Sequence, residues 1–157
     1  MKIKNIVSAL FLIVTAMSFV AIANTHVASR DDGAQLEGTW VVTVSTSAPG
    51  FPPSFTALET YSRGGGLVTS NNLPPVPRPG QGAWEKNGDA YSVNIMFFTF
   101  DAAGAPNGSI RVRHSVSLVG KEEYEGAGVA DFYDAGGNLL FSIDFTSTGE
   151  RMATEPS

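Results

Sequence analysis

The sequence contains no cysteine, two histidines, and few charged residues, which make up 16% of its 157 positions. Without cysteine there is neither a disulfide framework nor thiol chemistry, so the fold must be held by its core. His26 sits in a polar N-terminal segment far from His114, which leaves no histidine-rich metal site to expect. There is no phosphate loop, no dinucleotide fingerprint and no Gly-x-Ser-x-Gly elbow, which argues against a kinase or a serine hydrolase. The ligand spacing of a calcium loop is missing too, so Asp101 and Asp134 read as side chains bonding the turns they open. Basic residues are scarce: ten Lys and Arg against fifteen Asp and Glu give a formal charge of −5. Nucleic-acid binding depends on neutralising phosphates with Lys and Arg, and no nucleic-acid partner is expected. Beyond the N-terminus there is no 3.6-residue apolar periodicity, which excludes a helical core.

One long apolar run is present. Lys2 and Lys4 precede Ile6 to Ile22, and Ala21-Ile22-Ala23 supplies a small-x-small cleavage pattern. Residues 1–23 therefore read as a secretory signal, which predicts an exported protein, periplasmic or secreted, with no stable membrane anchor after cleavage. The lack of a following cysteine excludes a lipoprotein anchor. Removing 23 of 157 residues leaves about 134, the size of one domain, and losing Lys2 and Lys4 moves the charge from −5 to −7. Residues 24–37 are polar, with Arg30-Asp31-Asp32-Gly33, and read as a flexible leader. Residues 38–151 read as a β domain and residues 152–157 as a short tail.

What fills 38–151 is strand and turn. Trp40, Val42 and Val44 share one face of a first strand. Ile110, Val112, Val116 and Leu118 oppose Arg111, Arg113, Ser115 and Ser117; Leu139, Phe141, Ile143 and Phe145 oppose Ser142, Asp144, Thr146 and Thr148. Each pattern has period two, one face apolar and one wet. Residues 91–100 are apolar on both faces, which predicts an outer cover, by the leader or by a second copy in a homo-oligomer. Short turns at 63–66, 87–88, 119–121 and 135–138 make antiparallel neighbours. The spacing predicts strands near 39–47, 55–62, 66–71, 81–86, 90–100, 109–118, 123–133 and 139–150. Eight strands in a meander leave two exposed edges unless the sheet closes, so the expectation is all-β: an eight-stranded antiparallel up-and-down barrel.

Gly38-Thr39-Trp40 on the first strand resembles the Gly-x-Trp signature that opens the lipocalins and related calycins. The resemblance implies a tryptophan that closes the barrel base beneath an arginine from the end of the last strand, and Arg151 stands in that place. It also implies a small hydrophobic ligand inside the barrel. The chain is similar as well to the short barrels of the allene-oxide-cyclase and dirigent type, which implies instead a cofactor-free cyclase or isomerase.

The residues that bear on either function are few. His114 lies on the apolar face between Val112 and Val116, with Gly128 roughly opposite; it is either a cavity group or a satisfied core histidine. Glu59 and Tyr61 share a face with Phe55 and Ala57; pointing inward they make a polar spot, whereas the other register buries Leu58 and leaves Glu59 in water. Tyr91 and Tyr124 are amphipathic and fit either a cavity mouth or, as such residues more often do, the core or rim. Phe51, in the Pro49-Gly50-Phe51-Pro52-Pro53 loop, is placed to dip into the opening, and Phe132 and Phe145 to line the interior. Pro74-Pro75-Val76-Pro77-Arg78-Pro79 should be extended and stiff. Glu122, Glu123 and Glu125 read as outer-face partners of Arg111 and Arg113. Two functions follow. The first is binding of a small hydrophobic molecule, with Phe51, Tyr61, Val112, His114, Phe132 and Phe145 as contacts. The second is a cofactor-independent isomerisation or cyclisation using His114, Glu59 and Tyr91.

Overall fold

Side chains that alternate in polarity every second residue can all be satisfied only if the strands enclose one face and wet the other. The computed structural model, which describes residues 35–73 and 78–154, shows this arrangement. The strands are β1 (Gly38–Ser45), β2 (Ser54–Ser62), β3 (Gly66–Asn71), β4 (Arg78–Asn87), β5 (Ala90–Phe100), β6 (Pro106–Leu118), β7 (Glu123–Asp134) and β8 (Leu139–Arg151). Each pairs antiparallel with the next, and β8 returns to β1 to close an eight-stranded barrel. The expected signal segment, leader residues 24–34 with His26, Pro74 to Pro77, and residues 155–157 lie outside the described residues.

Two strands begin three residues earlier than the sequence suggests. β4 starts at Arg78, with Pro79 opposite Ser70 and Gly80 opposite Thr69. Proline is tolerated near a strand's start, where a missing N–H costs little. β6 starts at Pro106, where an irregularity at Thr99/Phe100 lets a turn-like Pro-Asn-Gly rejoin the ladder.

The buried face carries Trp40, Val42 and Val44 from β1, Tyr61 from β2, Leu67 from β3, Trp84 from β4, Tyr91, Val93, Ile95 and Phe97 from β5, Val116 from β6 and Tyr124 from β7. The outer face is largely Ser, Thr, Asn and charged residues. This is the reverse of a membrane-spanning barrel, whose apolar band faces lipid. The outer side of β5 departs from the rule: Met96, Phe98 and Phe100 are exposed, Phe98 at 63%.

One end of the barrel is plugged. The Arg151 guanidinium lies 4.2 Å from the centre of the Trp40 ring. Its Nη1 and Nη2 donate to the carbonyls of Glu37 and Gln35, each at 2.6 Å, and its Nε to that of Lys121 at 2.9 Å. Trp40 Nε1 donates to the carbonyl of Leu36 at 2.9 Å, and Leu36 is wholly buried. The last residues of the segment read as a leader thus seat on the barrel base. Gly38 has a left-handed φ of 126°, and a Cβ there would stand 2.7 Å from Arg151 Nη1. Glycine, tryptophan and the distant arginine are one packing unit.

The outer charges pair differently from expectation. Arg113 bonds Asp131 at 2.7 Å, and Ser142 Oγ donates to the other oxygen of Asp131 at 2.7 Å. The Ser142 hydroxyl first, and Arg113 with it, hold the Asp131 carboxyl below the usual range. The register sets Arg113 opposite Val129 and Glu125 opposite Ser117, so the acidic cluster lies too far along β7 to reach the arginines. Glu122 instead stands 3.5 Å from Arg151.

Candidate functional site

The even pairing of eight strands leaves the second end open to the interior. There β1, β3, β5 and β7 finish, and residues 46–53, 72–73, 101–105 and 135–138 continue from them. Ala48 N donates to Thr46 Oγ1 and Phe51 N to the carbonyl of Ala48, which curls the first loop inward. Its Phe51 ring lies 5.6 Å from Phe132 and 6.5 Å from Phe141, and those two stack at 4.5 Å. Three aromatic rings thus form one side of the mouth.

Between mouth and plug lies a cavity of about 100 Å³. Its walls are apolar: Val44, Phe55, Ile95, Ile110, Val112 and Phe145 all face it. Thr69, Glu59 and His114 add polar atoms. Glu59 and His114 form its floor, because the layer below them holds Tyr61, Val116, Tyr124 and Ser147, all at least 96% buried. An engineered pocket of roughly 150 Å³ accepts benzene; at about 100 Å³ this space is smaller and limits a ligand within it to one small ring or a short branched chain.

Glu59 settles into this interior through pairing. It stands opposite Trp40 in the β1–β2 register, and directly opposed residues of antiparallel strands point to the same side. With Trp40 inside, Glu59 is inside, and Leu58 is on the surface. Its Oε2 accepts from the hydroxyls of Tyr61 at 2.5 Å and Tyr124 at 3.0 Å. Oε1 has no donor among the described residues, yet none of their buried side-chain polar atoms is sealed away unpartnered, so Oε1 opens on the cavity. Burial pushes the Glu59 pKa above the ordinary carboxylate range, and the two tyrosine hydroxyls partly counter that. Burial first, and then the adjacent carboxylate, push both phenols well above 10.

His114 is buried, and its Nε2 lies 2.9 Å from Ser147 Oγ. The expected glycine opposite is there: His114 pairs with Gly128. The space that glycine leaves is taken by Phe145, whose ring would meet a Cβ on Gly128 at 2.7 Å. The Phe145 ring in turn lies 5.2 Å from the imidazole. Burial lowers the His114 pKa to about 4, so the ring is neutral at neutral pH.

Of the residues expected to contact a ligand, Phe51, Val112, His114, Phe132 and Phe145 line the cavity, as does Glu59. Tyr61 and Tyr91 do not. Tyr61 lies one layer towards the base and meets the site only through its hydroxyl on Glu59. Tyr91 is buried opposite Val116, a layer below His114, with its ring 5.9 Å from Trp84. Tyr124 takes the core place rather than the mouth, in the base layer 5.0 Å from Trp40, and supports Glu59 from below. Sequence reading passed over Ser147. The signal was available: Ser147 continues the Ile143, Phe145 face of β8, and a hydroxyl on an apolar face asks for a buried partner.

No protein-family model matches the chain, and no curated protein is similar to it in sequence. A solved structure that resembles it is a de novo designed fluorescence-activating β-barrel, at 13% identity and a TM-score of 0.50, covering 78% of this chain and 98% of the design. The likeness is one of fold.

Proposed function

We propose that the protein is exported and binds a small, mostly apolar molecule inside the barrel. The observation that carries the reading is the cavity: about 100 Å³, apolar-walled, plugged by Trp40 and Arg151 below and bordered by Phe51 above. Unfilled apolar space costs a fold packing energy, and concave apolar sites with a few convergent polar groups are where ligands bind. The Arg151–Trp40 plug supports kinship with the calycins, and the signal-like residues 1–23 support export. That a designed barrel of the same fold is fluorescence-activating accords with a barrel interior serving as a binding site.

Native mass spectrometry of the protein purified from its own host tests this. The expected result is a population carrying an additional small mass that organic solvent releases. Protein of unladen mass, together with an unfolding temperature that toluene and indole leave unchanged, contradicts the reading.

A second reading, a cofactor-free isomerase or cyclase, is favoured by one observation: Glu59 and neutral His114 both present to the same apolar-walled cavity. Such a catalyst acts chiefly by holding its substrate in one geometry, with Glu59 and His114 as the proton-handling groups. Turnover of a host-derived substrate that survives loss of both side chains removes them from the mechanism.

A further inference from the structure

Within the binding reading just given, the cavity floor specifies the ligand's head group. We propose that the ligand carries a protonated amine that pairs with Glu59 Oε1. Two hydroxyls converge on a single carboxyl oxygen, Oε2, at 2.5 and 3.0 Å. Hydroxyl donors to a carboxyl oxygen favour the ionised form, against the burial that raises the Glu59 pKa. The side chain is 5% exposed, and no ion pair reaches it among the described residues. A buried, unpaired charge is costly, so Glu59 in its ionised form calls for a cation, and Oε1, the oxygen with no donor among the described residues, is the one that opens on the cavity.

The surroundings leave the pairing to the ligand. Among the described side chains, the titratable groups facing Glu59 are Tyr61 on its own strand, Tyr124 on β7 and His114 on β6. Both phenols already donate to Oε2, and His114 is neutral above its depressed pKa. From β1, β3 and β8 the cavity receives Val44, Thr69 and Phe145, none of them charged. Among the described side chains, the Arg151 guanidinium is spent below on Trp40 and three carbonyls. An anionic ligand would meet Glu59 with like charge, and a plain hydrocarbon would leave Oε1 bare. An apolar cation answers both the walls and the floor.

Calorimetric titration of the full chain at neutral pH with benzylamine, benzyl alcohol and benzoate decides this, since the three share a ring and differ in the head. The expected order is benzylamine about tenfold tighter than benzyl alcohol, from the extra strength of a hydrogen bond to a charged group, with benzoate weakest. In E59Q, benzyl alcohol still binds and the amine preference disappears. Should E59Q fail to fold, acidification of the wild type serves instead, with H114Q alongside to remove imidazolium repulsion: the preference must fall as Glu59 takes its proton. Benzyl alcohol binding as tightly as benzylamine overturns the head-group assignment while leaving the cavity reading intact. If none of the three binds, both fall.

Discussion

At the scale of single residues, His114 and Glu59 carry pKa shifts in opposite directions, and both follow from burial. The His114 value of about 4 lies below the ordinary 6.5. Between those two pH values the unfolded chain takes up a proton that the barrel refuses. Its contribution to stability is therefore complete above 6.5 and is lost as the pH falls towards 4. A shift of that size corresponds to roughly 3 kcal/mol. Glu59 runs the other way: above the ordinary 4.5 the unfolded chain gives up a proton that the folded carboxyl keeps. Its effect favours folding most below 4.5 and fades as the pH rises through the raised value. The two partly cancel in mild acid. Denaturant unfolding across this range should show H114Q losing much less stability than wild type on acidification. E59Q, with the opposing group gone, should lose more. Parallel curves for wild type and H114Q would show that the imidazole is not buried as described.

At the scale of strands, rings lie across glycines of neighbouring strands. Phe97 crosses Gly80, Phe145 crosses Gly128, and Tyr124 crosses Gly149. This device lets wide side chains fill a narrow barrel. A methyl at Gly149 would collide with the Tyr124 ring, so G149A should cost ~1–3 kcal/mol, the usual penalty for overpacking. It should also weaken benzylamine binding by moving a donor off Glu59. Gly120, where a Cβ meets nothing within 4 Å, is the matched control, and G120A should stay within about 0.5 kcal/mol of wild type. Equal effects from the two substitutions would contradict the ring-over-glycine packing.

The same scale explains what could be read from the residues in advance. Period-two alternation marks Trp40-Val42-Val44 and Ile110-Val112 as strands without reference to anything distant. It left Glu59 open, because Phe55, Ala57 and Tyr61 argue for one face of β2 while Leu58 argues for the other. Only the long-range pairing of Glu59 with Trp40 decides it. Depth along the barrel axis was equally hidden. Alternation tells inside from outside, but strand tilt and register set the layer, so it cannot tell that Tyr61 and Tyr91 lie beneath the cavity rather than along it. Arg151 was legible through a resemblance, yet the reason for its partner Gly38 emerges only from the guanidinium lying where a Cβ would be.

For the molecule as a whole, closure fixes how copies can meet. The β1–β8 ladder leaves no free edge, so association cannot proceed by strand addition and must use a face. The exposed Met96, Phe98 and Phe100 on β5 provide one, and exposed apolar patches commonly mark contact sites. Sedimentation equilibrium should show concentration-dependent self-association that F98S/F100S abolishes, with thermal stability little changed. A wild-type chain that stays monomeric throughout would remove that face from the account.

The central claim is that a small molecule sits within the barrel, above Glu59 and His114. The most direct measurement is a set of intermolecular NOEs between saturating toluene and the methyl groups of isotopically labelled protein. The account predicts contacts to Ile95, Ile110 and Val112, whose side chains line the cavity, and none to Val68, which is on the outer surface. Contacts confined to Met96, Val68 and the other exposed methyls would place the molecule outside the barrel and contradict the claim.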